Sequence, residues 1–335
     1  MPLKVLQDAW YSRARWPLLL WPLEKLYLAL AARDQKKKLQ KQWQAPVPVI
    51  VVGNITVGGT GKSPLVAALV DYLKQKGWKP GVISRGYGGK SDHYPVLVTP
   101  ETDTGVVGDE PVMLAGQTGV PVVVDPDRSR AARYLLSETS CDLIISDDGL
   151  QHLSLGRDLE LVVIDGQRQL GNQHCLPVGP MREPASRLKT VDYIVVNGNG
   201  SPGKYFDKTP VQMSLKPLQW RQPVSGECLE IGQRPFHHSV RAIAGIGNPQ
   251  RFFNTLEQLG LTVSGQSFPD HYYFSRDDVA ANGSPVVMTA KDAVKCAAWL
   301  TEEHWVLDVS AAVDPVIMQD IHQKLLTIQK EKTNG

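Results

Sequence analysis

Residues 49–65 limit most what this chain can fold into: Val-Ile-Val-Val-Gly-Asn-Ile-Thr-Val-Gly-Gly-Thr-Gly-Lys-Ser-Pro-Leu. The β-branched run at its start has the continuous apolar character of a parallel strand buried on both faces. A glycine-rich turn, Lys62-Ser63 and a segment of helical spacing follow. Strand, glycine loop, Lys-Ser and helix make a phosphate-binding P-loop. Gly58, Gly59 and Gly61 free the backbone to aim its N–H groups at phosphate oxygens, where a Cβ would block the approach. The helix N-terminus behind them adds its dipole. Lys62 is placed to reach the β- and γ-phosphates and Ser63 to ligate Mg²⁺. Thr56 stands where the generic pattern has its first glycine, and with Thr60 it completes the candidate ATP-binding loop. The motif excludes an ordinary glycine turn as the simplest reading and predicts a nucleotide-triphosphate protein.

From this strand onward the chain alternates apolar runs with helix-length segments. Runs at 80–84, 120–125, 143–145, 161–164 and 193–196 predict further strands, with helices over 63–76 and 128–138. Such alternation implies a mostly parallel sheet covered by helices on both faces, with ligands at the carboxyl ends of the strands. Residues 199–238 are richer in Gly, Pro, Ser and Lys and read as a linker or hairpin region. A second, smaller α/β unit starts near residue 240, with strands at 240–244, 286–288 and 305–307 and a closing helix over 315–331. Gly245-Ile246-Gly247-Asn248-Pro249 is too short a signal for a dinucleotide site and reads as a plain tight turn. The expected organisation is therefore an N-terminal segment over 1–42, a P-loop core over 43–198, the 199–238 connection and a C-terminal α/β unit over 239–335.

The N-terminal segment interleaves Trp10, Tyr11, Trp16, Trp21 and Tyr27 with a run of leucines, flanked by Arg13 and Arg15 before and Arg33, Lys36, Lys37, Lys38 and Lys41 after. The net charge of the whole chain is +2, yet residues 1–42 hold nine Lys/Arg against three Asp/Glu. Basic charge gathered at one end suits an anionic surface and argues against nucleic acid along the protein. Glu24 and Lys25 inside the apolar stretch, with Pro17 and Pro22, argue against a signal peptide and against a membrane span. An amphipathic helix lying in a membrane interface fits the pattern, and a soluble helix packed on the core is the alternative. The four cysteines, Cys141, Cys175, Cys228 and Cys296, are widely spaced and indicate neither a zinc site nor a disulfide framework.

Chemistry-bearing residues cluster after strands. Ile144-Ile145-Ser146-Asp147-Asp148-Gly149-Leu150-Gln151-His152 has the form of a Walker B strand ending in acid, so Asp147 and Asp148 are candidate Mg²⁺ ligands. In Gly108-Asp109-Glu110-Pro111 the acids open a helix; either they complement its dipole or one of them accepts a proton near the γ-phosphate. Asp270-His271-Tyr272 in the second unit could form a proton-accepting pair across a cleft. Ser84-Arg85-Gly86-Tyr87-Gly88-Gly89 reads as a mobile loop. Thr289-Ala290-Lys291-Asp292 superficially resembles a guanine-reading signature, but its spacing is wrong.

Taken with Gly53-Asn54-Ile55-Thr56-Val57-Gly58-Gly59-Thr60-Gly61-Lys62-Ser63-Pro64 and Gly179-Pro180-Met181-Arg182-Glu183, these motifs resemble the tetraacyldisaccharide 4′-kinases, the lipid A 4′-kinases of Gram-negative bacteria. The resemblance spans nearly the whole chain, and its Asn-x-Thr-x-Gly-Gly-Thr-Gly-Lys form accounts for Thr56. It implies transfer of the ATP γ-phosphoryl to the 4′-hydroxyl of an acylated glucosamine disaccharide 1-phosphate, by a peripheral protein at the cytoplasmic face of the inner membrane. It further implies that Asp109 paired with His271 is the base and that Lys62 neutralises phosphate charge. Ser63, Asp147, Asp148 and Glu110 would organise Mg²⁺, and Arg182, Gln151 and His152 would face the acceptor. A membrane-associated P-loop ATPase switch is the alternative from another class; it would hydrolyse ATP without an acceptor.

Overall fold

The computed structural model describes residues 2–200 and 208–334. Among these residues the helices are α1 (Pro2–Trp10), α2 (Trp21–Gln40), α3 (Lys62–Gln75), α4 (Thr104–Val107), α5 (Asp109–Thr118), α6 (Arg128–Glu138), α7 (Pro249–Gln258), α8 (Arg276–Val279), α9 (Ala290–Lys295) and α10 (Pro315–Asn334). The strands of the first unit are β1 (Val49–Gly53), β2 (Pro80–Ser84), β3 (Val96–Val98), β4 (Val122–Val124), β5 (Leu143–Asp147), β6 (Leu159–Asp165) and β7 (Tyr193–Asn197). Those that follow are β8 (Val211–Arg221), β9 (Cys228–Glu230), β10 (Ser239–Ala244), β11 (Thr262–Ser267), β12 (Val286–Thr289) and β13 (His304–Val313).

All belong to one sheet, in the order β11-β10-β12-β13-β8-β7-β6-β1-β5-β2-β4-β3, with β9 paired to β8. β1 lies between β5 and β6 and is parallel to both; every residue of β1, β5 and β7 is buried, as their unbroken apolar runs require. From α3, Leu65, Val66, Leu69, Val70 and Leu73 enter the core at helical spacing. Each such side chain contributes about 1.5–3 kcal/mol relative to exposure.

Within the 199–238 region β8 and β9 do form a hairpin, but β8 is also a strand of the main sheet and not a linker. Residues 201–207 lie outside the described residues, but 211–221 form the eleven-residue strand β8. Its side chains alternate as a strand's should at Val211, Met213 and Leu215, and the phase then slips to Trp220. The slip is a bulge: Asp308 pairs with Gln219 and Val309 with Pro217, which leaves Leu218 unpaired.

This strand joins the two units and sets their relative direction. β8 runs parallel to β7 over Val211–Met213, where Asn197 sits opposite Met213. It runs antiparallel to β13, and β12 and β10 are parallel to β13 in turn. The second unit's strands therefore point back toward the first unit. The carboxyl end of β12 lies at the level of Leu307 and Trp220, seven residues beyond Met213, a span of roughly 23 Å at strand rise. The two sets of carboxyl ends face each other across that gap.

At the N-terminus, α2 packs by one side on the first unit. The buried carboxylate of Glu24 accepts the Cys175 N–H at 2.6 Å and meets His174 Nδ1 at 3.1 Å. The Tyr27 hydroxyl donates to the Arg182 carbonyl at 2.7 Å. The opposite side exposes Leu23, Leu26 and Leu30 at helical spacing, continued at its N-terminal end by exposed Trp16, Leu18, Leu19 and Trp21. Among the described residues, no helix is long and apolar enough to cross a membrane.

The far end of the seam is held by Trp220, which is buried, donates to the Ile231 carbonyl at 3.1 Å and meets the Phe236 ring edge-on at 5.0 Å. Trp220→Ala is expected to lower the unfolding free energy by about 3–5 kcal/mol, measured by urea titration.

Candidate active site

The phosphate loop leaves β1 at Gly53 and enters α3 at Lys62. Gly61 caps the helix at φ 92° and Gly58 has φ 100°, a region that L-residues rarely occupy. A Cβ on Gly61 would lie 2.3 Å from Asn197 Nδ2, which donates to the Thr60 carbonyl at 2.9 Å. Arg168 donates to the Gly59 carbonyl, and Asn54 Nδ2 to that of Gly58 at 3.3 Å. Carbonyls turned outward and held in this way leave the N–H groups free to face a ligand. Thr56 has an extended backbone paired with Met181, and Val57 N–H donates to the Pro180 carbonyl at 2.9 Å. That pairing needs no glycine, which explains the threonine.

A cavity of about 230 Å³ lies between the facing strand ends. Gly59, Thr60, Gly61, Lys62 and Ser63 form one wall, while Gly247, Asn248, Arg251 and Lys291 of the second unit form the other. Thr56 and Gly58 brace the loop from outside this cavity. The turn after β10 is more than a connection: a Cβ on Gly247 would lie 3.2 Å from Gly59 N, and Asn248 caps α7 by accepting the Arg251 N–H at 3.2 Å. Arg251 donates to Asn197 Oδ1 at 2.9 Å, tying the second unit to the loop.

At the end of β5, Asp147 is fully buried and neither carboxylate oxygen has a hydrogen-bond partner. Burial, then Glu110 and Asp148, push its carboxyl up to about 7 against the pull of Lys62 and Arg128. Asp148 takes φ 48°, an unusual conformation for a non-glycine residue that turns the chain sharply after the strand. Its carboxylate lies 3.4 Å from Lys62 Nζ and 3.2 Å from Arg182 Nη1. Burial alone would raise it, but Lys62, Arg182 and Arg128 hold it at about 2.

Asp109 opens α5 after Gly108, whose φ is 85°. Its Oδ2 lies 3.1 Å from His271 Nδ1 of the second unit. Burial works against ionisation of Asp109, yet the His271 hydrogen bond and Lys291 bring its carboxyl below the usual range. That hydrogen bond in turn raises the imidazole, against burial and Lys291. His271 also takes a positive φ, 58°, and its ring lies 4.9 Å from that of Tyr87. The 84–89 loop is thus in contact with the second unit, and the Tyr273 hydroxyl donates to the Gly88 carbonyl at 3.1 Å.

Glu110 contacts Lys291 at 3.1 Å. Gln151 Nε2 donates to the Asn54 carbonyl at 3.1 Å and to Glu183 Oε1 at 2.6 Å, so it braces the phosphate loop. The His152 imidazole is depressed to about 3 by burial and by Arg128, Lys38 and Arg85, which make its surroundings cationic. The family resemblance paired Asp109 with His271, and the two lie together; Asp148, expected as a Mg²⁺ ligand, is paired with Lys62 and Arg182. Sequence reasoning missed Asn197, Arg168, Arg251 and Lys291, whose roles depend on contacts between distant segments.

Among the described residues no three His, Cys, Asp or Glu side chains are grouped to hold a metal ion alone. A P-loop cation needs no such cage, since phosphate oxygens and water complete its shell. The unpartnered oxygens of Asp147, with the Ser63 hydroxyl, fit a Mg²⁺ ion held that way.

Fold and site define a P-loop protein whose second α/β unit closes over the phosphate loop and sets His271 against Asp109, an arrangement that suits a phosphotransferase. A family model for tetraacyldisaccharide-1-P 4′-kinase, LpxK, matches residues 16–326. The tetraacyldisaccharide 4′-kinase of Hahella chejuensis is 45% identical over 339 residues, covering 98% of each chain. That of Methylobacillus flagellatus is 47% identical over 335 residues, covering 98% of this chain and 97% of the relative. The crystal structure of Aquifex aeolicus LpxK in complex with ATP superposes with a TM-score of 0.76 at 27% identity, covering 93% of this chain and 100% of that one. The chain belongs to the tetraacyldisaccharide-1-phosphate 4′-kinase family.

Removing the buried, unpaired charge should relieve the metal-free protein. Asp147→Asn is expected to raise its unfolding free energy by about 1–3 kcal/mol at pH 8. The same variant should lose the stabilisation that Mg²⁺ with nucleotide gives the parent, read by thermal unfolding.

Proposed function

We propose that this chain transfers the γ-phosphoryl of ATP to the 4′-hydroxyl of a tetraacyldisaccharide 1-phosphate, the acceptor in its relatives' name. The observation that carries the reading is the Asp109–His271 pair at 3.1 Å, formed across the cleft that holds the phosphate loop. Hydrolysis alone needs no partner from a second unit to hold a carboxylate; an acceptor hydroxyl needs a base that is ionised and oriented. Asp109 takes the hydroxyl proton, and His271 holds the carboxylate in place and shares the charge. Lys62 draws charge from the β- and γ-phosphates, and the loop N–H groups cradle them. Ser63 and Asp147, with Asp148 or Glu110 nearby, would hold Mg²⁺, which would neutralise phosphate charge there. Arg182, set by its backbone bond to Ile55 at 2.6 Å, faces the acid cluster and orients acceptor or phosphate oxygens. Closure of the second unit excludes water and favours lipid over hydrolysis.

An acceptor with four acyl chains stays in its bilayer, so the protein has to reach it there. The exposed stripe of α2, with Trp16, Leu18, Trp21 and flanking cations, suits peripheral attachment to an anionic membrane, and α2 also contacts the Arg182 carbonyl through Tyr27. The cytoplasmic face of the inner membrane, where ATP is available, is the expected location.

Labelled γ-phosphate from ATP should appear in the lipid in detergent micelles, with little release when lipid is withheld. Release regardless of lipid, and none in it, would favour the ATPase switch. Asp109→Ala and His271→Ala should each lower kcat by about 10²–10⁴-fold with little change in ATP affinity. In co-sedimentation with anionic vesicles, Leu19→Glu combined with Leu26→Glu should release the protein from the membrane without unfolding it, since both side chains are solvent-facing.

A further inference from the structure

The Thr289-Ala290-Lys291-Asp292 segment has a role in the site that the guanine comparison did not suggest. Thr289 caps α9 by accepting the Asp292 N–H at 3.1 Å, while its hydroxyl donates to Asp292 Oδ2 at 2.7 Å. Asp292 is clamped further by Lys295 at 2.7 Å and by the Gly245 N–H at 3.2 Å. The box is therefore a rigid mount, and the residue it presents to the cavity is Lys291.

Lys291 faces the wall formed by Lys62 and Ser63. Its Nζ lies 3.1 Å from Glu110, 3.1 Å from Asp270, 3.9 Å from Asp109 and 3.5 Å from His271 Nε2. Three carboxylates share this one ammonium, whose side chain is only 14% exposed. Burial opposes its charge, but Glu110, Asp109 and Asp270 more than compensate and raise its pKa, so it is a cation at any working pH. A γ-phosphoryl group entering between Lys62 and the Asp109–His271 pair would meet Asp109, Glu110 and Asp270 without a counter-charge from this side unless Lys291 turned to it.

We propose that Lys291 is a second phosphoryl-binding lysine, delivered from the C-terminal unit, which leaves Glu110 and Asp270 to contact the γ-phosphoryl oxygens as transfer proceeds. This rests on the kinase reading above. Because Lys291 and His271 come from the same unit, one closing movement brings the base's partner and this cation to the nucleotide together. The lysine then stabilises charge that is spread over the γ-phosphoryl oxygens in the transition state, with the carboxylates keeping it aimed beforehand.

The test compares Lys291→Met and Lys291→Arg with the parent. The parent must first label the lipid; if it does not, the kinase reading itself fails, whatever Lys291 does. Given transfer, Lys291→Met should lose about 10²–10³-fold in kcat and Lys291→Arg should recover part of it. A second readout is binding without turnover. ADP affinity should stay within about 2-fold, while the extra affinity for ADP with fluoroaluminate and Mg²⁺, a planar phosphoryl mimic, should fall by the same order as kcat. Should Lys291→Met not fold, Lys291→Gln is read by the same two measurements. Retained kcat, or equal losses for ADP and its fluoroaluminate complex, would overturn the assignment and leave Lys291 a structural ion pair.

Discussion

The antiparallel pairing of β8 with β13 is the constraint on which the site depends. A parallel sheet gathers its binding loops at one edge, the carboxyl ends of its strands. Continued in parallel, the second unit would have put its loops beside those of the first. Reversal at the seam, on a strand long enough to project past β7, turns the second set of carboxyl ends to face the first instead. The gap between them is the cavity, with the phosphate loop on one wall and the Gly247, Asn248 and Lys291 wall opposite. His271 reaches Asp109, and Arg251 reaches Asn197, only because of that reversal.

Charge in the cleft is arranged in pairs that cross it or flank it. Asp148 is held ionised by Lys62 and Arg182, while its neighbour Asp147 is buried without any partner. Two adjacent acids are thus driven apart by environment alone: one is held ionised by two cations and the other is pushed toward neutrality by burial. The unusual backbone at Asp148 and His271 falls on either side of this cleft, where the surrounding packing and ion pairs hold both residues in conformations that a loop elsewhere would relax.

Much of this was legible in the sequence, and the rest was not for physical reasons. The buried strands of the first unit announce themselves because burial on both faces demands an unbroken apolar run, and the phosphate loop because close approach to phosphate demands glycine. β8 is hidden because the bulge at Leu218 breaks its alternation and its Lys216 and Pro217 resemble loop residues. β11 is hidden because it is an edge strand of mainly polar, exposed residues, Thr-Val-Ser-Gly-Gln-Ser. Within the site, the acids stood out in the sequence as candidate chemistry, and family resemblance paired Asp109 with His271. Glu24 and Lys25, which seem to interrupt the N-terminal apolar stretch, fall on different sides of α2: Glu24 turns inward to the Cys175 N–H and Lys25 lies 5.0 Å over the Trp21 ring. The apolar stripe is continuous once the helix is drawn in three dimensions.

The central claim is that Asp109 and His271, from opposite units, act as one proton-accepting device. A double-mutant cycle on lipid phosphorylation tests it most directly, with Asp109→Ala, His271→Ala and the pair compared under single-turnover conditions. If the two act together, the double variant will be no slower than the slower single variant, because removing either already disables the device. Rate losses that multiply, each variant acting independently of the other, would contradict it.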